Sequence, residues 1–184
     1  YQLHNLGGGT AKTVFASIIS RYQDPDGDLG ISDEGWEIAA KFLGNAHNIA
    51  DGEDAVGSVI DGTYPMDEHW ASGVLTEQKD RDYKFQIMTP DIGEPYVVES
   101  LAISAGTKKY DTCVAFLSWL GSSDVQLDWS NNYGTIPCQK EALDQVSDDI
   151  KELMETLKPQ DLDWSFIAEN VDAWVEKAEL EYVQ

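Results

Sequence analysis

The stretch Tyr83–Ala105, YKFQIMTPDIGEPYVVESLAISA, decides how the rest of the chain is read. It opens on an apolar-rich run (Phe85, Ile87, Met88), breaks at Thr89-Pro90-Asp91-Ile92-Gly93-Glu94-Pro95, and resumes as Tyr96, Val97, Val98, Leu101, Ala102 and Ile103. Aromatic and branched residues suit strands, whereas prolines and a glycine stop a ladder. The composition therefore predicts two strands around an irregular turn. Upstream lie the signals of a small α/β unit, and downstream the pattern is almost entirely helical. The stretch reads as a hinge between two lobes.

With 184 residues, 42% of them hydrophobic and six of them Trp, the chain can bury a substantial core. Twelve basic against 34 acidic residues give a formal net charge of -22, which repels phosphate backbones and anionic membrane surfaces. Nucleic acid is not expected as a partner, and the acidity, spread over helix faces, reads as a solvated surface. No apolar run is long enough to span a bilayer, and YQLHNLGGG lacks the parts of a signal peptide, so a mature protein or a fragment is expected. Cys113 and Cys138 make no disulfide scaffold; one bridge and two free thiols both stay open.

From His4 to Gly9 a strand end runs into a glycine-rich turn. Thr10 is the expected N-cap of a helix carrying Val14, Phe15, Ile18, Ile19 and Tyr22. Glycines admit close approach to a ligand, and free N–H groups of a first helical turn favour an anion, so Gly8, Gly9 and Thr10 are ligand candidates. A tight turn without a ligand is the alternative. A nucleotide P-loop is excluded, because Leu6 and Ala11 stand where its glycines belong. The acidic run Asp24–Gly30 fails as a calcium loop, with Leu29 at the required glycine and Gly35 at the bidentate glutamate. It is expected to be a loop.

Ser32 is the expected cap of a helix with Trp36, Ile38, Ala39, Phe42 and Leu43 inward, and a short helix should run from about Glu53 to Ile60, ending at Asp61-Gly62. A short strand then ends at His69-Trp70. Adjacent strand residues point to opposite faces, so Asp67, Glu68 and His69 cannot all hold one ion, and no metal is expected. Trp70 is either the wall of a cleft or a core residue. Helices follow from Ala71, Asp111, Ser123 and near Glu141. The last should start at Asp163, with Trp164, Ile167, Ala168, Val171, Trp174, Val175, Ala178 and Tyr182 at helical spacing.

The order of these features resembles an extracellular solute-binding protein of an ABC importer, in the branch of ferric, thiamine, phosphonate and polyamine binders. The resemblance lies in Gly8-Gly9-Thr10 opening a helix, Gly62 before a strand with an aromatic soon after, and Pro90-x-x-Gly93 followed by Glu99-Ser100-Leu101-Ala102-Ile103. Ala115-Phe116-Leu117-Ser118-Trp119-Leu120 and Tyr133-Gly134-Thr135-Ile136-Pro137 continue it, so that it covers essentially the whole chain. It implies an α/β, type II periplasmic-binding-protein-like fold, of which this chain holds one lobe plus the C-terminal helical part of the other. The second lobe would be residues 1–82, the hinge strands returning to the first lobe 83–105, and the helical part of the first lobe 106–184.

By the same resemblance, Gly8, Gly9 and Thr10 bind polar or anionic groups, Trp70 lines the cleft, and Gly93 and Glu94 lie at its hinge edge. The implied partners are a small-molecule solute and the importer's membrane subunits, without a cofactor. The place is extracellular or periplasmic, with a lipid anchor an option for the full-length protein. Apolar helix surface left without the absent sheet would attract a partner chain, self-association included. Two departures speak against iron: Ile92 stands where many relatives have an acid, and Tyr64, Tyr83 and Tyr96 are isolated rather than paired. The glycine-rich helix start favours an anion such as a phosphonate or sugar phosphate, while acidic surroundings would suit a polyamine; the ligand's sign stays open here.

An enzyme is not expected. There is no GxSxG elbow and no HExxH, and three histidines, His4, His47 and His69, leave little acid–base capacity. The remaining alternative is a helical interaction module without a small-molecule ligand.

Overall fold

Phe15, Ile19, Ile31, Ala39 and Leu43 bury themselves against Trp174, Val175 and Ala178 from the far end of the sequence. This cluster is the core of one of two compact units in a computed structural model, which describes residues 1–183. The first unit comprises Tyr1–His69 and the segment beginning at Gln160, and the second comprises Trp70–Pro159. Both are helix-rich.

In the first unit, strand β1 (Gln2–Leu3) pairs in parallel with β3 (His47–Asn48), with Gln2 opposite His47. Between them lie α1 (Gly9–Ile19), a 3-10 turn at Ser20–Tyr22, β2 (Gln23–Asp28) and α2 (Asp33–Gly44). The short α3 (Ala55–Ile60) follows, and Gly62 after it takes the expected positive φ of 81°. Helix α9 (Trp164–Glu181) lies across α1 and α2. Its apolar spacing places Ile167, Trp174, Val175 and Ala178 inside, and Trp174 Nε1–H donates to Leu29 O at 3.0 Å. That bond lets the largest buried side chain enter the core without stranding its polar atom.

The second unit is built from α4 (Ala71–Arg81), α5 (Tyr110–Leu120), α6 (Ser123–Tyr133), α7 (Lys140–Leu143) and α8 (Asp148–Thr156). Ala142, Val146, Ile150 and Leu153 are its buried apolar residues. Gly134 closes α6 at a φ of 69°, where a Cβ would come within 3.0 Å of Leu75 Cβ and Ser72 O on α4. Only glycine satisfies both the conformation and the approach. Helix α5 buries no residue and leaves Tyr110, Val114, Phe116 and Trp119 exposed.

Several expectations are corrected. Residues 83–105 form no strand; an isolated bridge joins Glu94 to Pro159, and Met88, Val97, Val98 and Leu101 are exposed. A strand needs a neighbouring ladder for its N–H and C=O groups, and the described residues contain one sheet, of two strands, in the other unit. No strand ends at His69-Trp70 either. The acidic segment expected to be a loop instead contains β2, folded back on Ile31 through bridges from Gln23 and Asp28. Ser32 and Asp163 cap their helices as expected, with Ser32 Oγ accepting from Gly35 N–H and Asp163 from Ser165 and Phe166 N–H. Thr10 and Ser123 lie inside their helices, one residue or more past the caps Gly8 and Ser122. Cys113 and Cys138 are free thiols.

Trp174→Ala should lower unfolding stability by about 3–5 kcal/mol, the cost of a large aromatic-to-alanine change in a packed core. The check is the urea midpoint, followed by the fluorescence of the other tryptophans.

Candidate functional site

Strand β1 has backbone partners on both sides. Tyr1 O accepts from His47 N–H at 2.9 Å and Leu3 O from Ile49 N–H at 3.1 Å, while Gln2 N–H donates to Met66 O at 2.9 Å. The last bond lays residues 66–69 alongside residues 2–4. His4 N–H then donates to Glu68 Oε1 at 3.1 Å.

This pairing produces a cluster that sequence spacing alone did not contain. One donor atom each from His4, Asp67 and His69 lies within 4.8 Å of the others. The His4 and His69 rings have centroids 6.5 Å apart, tilted by 49°. Residues 67 and 69 fall on one side, as alternation along an extended chain requires, and Glu68 turns away to the His4 backbone. Alternation along residues 67–69 says nothing about a residue more than sixty positions earlier. No local signal marks His4 as the third member.

The cluster is desolvated. Burial raises the Asp67 carboxyl above the usual aspartate range, opposed by the charges of His4 and His69. Burial also pushes Glu68 up to about 7, against the lowering effect of the His4 N–H bond. His4 Nε2, Asp67 Oδ1 and Glu68 Oε2 are buried with no hydrogen-bond partner among the described residues. By contrast His47 is occupied: its ring stacks on Tyr64 at 4.4 Å and meets Glu53 at 2.9 Å.

The candidate ligand residues fall into both units. Gly8 and Gly9 are exposed and Thr10 half-buried at the N-terminus of α1, in the first unit. Gly8 N–H is used by Asn5 O at 2.8 Å, and no side chain caps this helix. The N–H groups of the first turn have no intrahelical acceptor and point along the axis with the positive end of the dipole. Trp70, Gly93 and Glu94 belong to the second unit. Trp70 is 53% exposed at the start of α4, which removes the core reading of that residue. Gly93 is buried at a φ of 85° and closes a turn with Pro90. Glu94 is bound to the chain near Lys158, its N–H donating to Lys158 O at 2.7 Å and its Oε2 accepting from Lys158 N–H at 2.9 Å. A separate shallow pocket, between Leu75, Phe85, Ile87 and Leu153, contains none of these residues.

Residues 7–158 match the profile of the bacterial extracellular solute-binding proteins. The chain belongs to that family. Across all 184 residues it is 32% identical to a probable ABC transporter periplasmic-binding protein, y4fP, of Sinorhizobium fredii (strain NBRC 101917 / NGR234), and spans 51% of that relative's length. No solved structure matches.

The two raised carboxyls carry a stability consequence. Glu68 holds its proton to a higher pH when folded than its ordinary 4.5, so the folded state binds more protons between that value and about 7. Stability contributed by this group therefore falls as pH rises through that window. Glu68→Gln should abolish that fall while keeping the acceptor for His4 N–H. Urea midpoints of both forms at pH 5 and pH 8 test this; equal pH slopes would refute it.

Proposed function

We propose that the chain is the C-terminal portion of the solute-binding component of an ABC importer. In this reading it supplies one lobe and the C-terminal helical part of the other in a type II periplasmic-binding-protein fold. The resemblance divides it as residues 1–82 for the second lobe, 83–105 for the returning connection and 106–184 for the first-lobe helices, whereas α9 packs with α1 and α2 in the unit of Tyr1–His69. The complete protein captures a small polar solute between its lobes, outside the cytoplasmic membrane, and delivers it to the importer's membrane subunits. The family and the relative are binding proteins, and the chain carries no nucleophile–base motif, so no catalysis is assigned.

The uncapped, glycine-led start of α1 carries the ligand assignment. Exposed Gly8 and Gly9 let a solute approach the backbone, and the free N–H groups favour an anionic group such as a phosphonate or a sugar phosphate. Thr10 adds a hydroxyl. Exposed Trp70 supplies an aromatic wall, with Gly93 and Glu94 at the connection. The exposed apolar side chains of α5 fit a helix whose packing partner is the remainder of the first lobe, and in its absence they favour self-association.

A thermal-shift screen on the chain extended to the full two-lobed length tests this, using phosphonates, sugar phosphates, thiamine and polyamines. A solute at about 100 times its Kd adds roughly 2.7 kcal/mol to apparent stability. The expected hit is anionic, and Thr10→Ala and Trp70→Ala each weaken it about tenfold or more. A response to polyamines alone would overturn the anionic assignment. No response to any solute, with a tight complex to another protein, would favour a helical interaction module.

A further inference from the structure

We propose that His4, Asp67 and His69 form a binding site for a divalent transition-metal ion of the zinc class. The site lies wholly within the first unit and does not depend on the transport reading.

The donor set has the right chemistry. Two borderline imidazoles with one harder carboxylate suit zinc and its first-row neighbours, and three protein donors leave a fourth position open. Their spacing is close to what an ion needs. All three donor atoms lie within 4.8 Å of one another, and His69 Nδ1 lies 3.9 Å from Asp67 Oδ2. A tetrahedral ion with bonds near 2.0–2.2 Å holds its donors about 3.4 Å apart. Side-chain rotations of about an ångström close the set, with no change in the backbone pairing that brings it together.

Burial supplies the independent observation. The Asp67 side chain is only 8% exposed, yet its Oδ1 has no hydrogen-bond partner among the described residues. His4 Nε2 is in the same condition. A buried carboxylate oxygen and a buried ring nitrogen left unpaired in one place carry a desolvation cost that a shared cation would offset. The neighbouring Glu68 fixes His4 by accepting its backbone N–H at 3.1 Å.

The test uses the 184-residue chain stripped with a chelator and titrated with zinc chloride by calorimetry. Expected is one zinc per chain at micromolar Kd or tighter, with His4→Gln, Asp67→Asn and His69→Gln each weakening binding about tenfold or more. His47→Gln, which leaves the cluster intact, should have no effect. In case a variant misfolds, cobalt chloride added to the wild-type chain provides a second readout. Visible d–d absorption of a tetrahedral nitrogen–oxygen site, displaced by zinc, is expected, together with zinc-induced NMR shifts of the His4 and His69 rings but not of His47. No stoichiometric zinc binding, or binding that shifts His47 and spares His4 and His69, overturns the proposal. The solute screen above would keep its own outcome in either case.

Discussion

A two-residue strand cannot hold itself in place, and the first unit depends on how β1 is held. Gln2 and Leu3 are buried, so their backbone groups must be paired within the protein. Residues 47–49 bind one side and Met66 the other, and the Gln2 side chain donates to Ala55 O at 2.9 Å. Three distant segments thus meet on a few hydrogen bonds. The side chains that follow β1 and Met66 have no freedom to separate, which is why His4 faces Asp67 and His69.

The same constraint explains the electrostatics. The excess negative charge is shared between helices and loops, and most of it sits on exposed side chains, where water and salt screen it. At Asp67 and Glu68 the backbone pairing leaves the acids no such exit, and burial raises both carboxyls. Surface pairs such as Lys12–Asp172 at 3.0 Å, with Asp172 exposed, contribute little by comparison. Unpaired buried polar atoms are uncommon in folded proteins, so their concentration beside two histidines sets this corner apart from the ordinary core around Trp174.

Much of the helical architecture was legible in the sequence because its signals are local. Apolar spacing located α9 and α2, Ser32 and Asp163 marked where they start, and Gly62 marked a positive φ. Helices carry their own hydrogen bonds, so a single segment suffices to announce them. Strands were not legible to the same degree. Residues 83–105 have strand composition, but composition cannot supply the neighbour that a ladder requires, and β2 forms in an acidic run because Ile31 lies beside it.

The candidate site divides along the same line. The sequence left Trp70 open between cleft wall and core and only the fold exposes it, whereas the glycine run before α1 is local, and the order of motifs resembles the solute-binding family. The His4 cluster could not be read that way. Its two segments are joined by the hydrogen bonds from Gln2 N–H to Met66 O and from His4 N–H to Glu68 Oε1, and which distant groups pair is a property of the folded chain alone. The sequence by itself determined the helices and their caps, because each is stabilised by neighbours a few residues away. Only the tertiary structure decided which carboxylates lost their water and which histidines came to face them, because burial and pairing across long separations exist only once the chain has closed on itself.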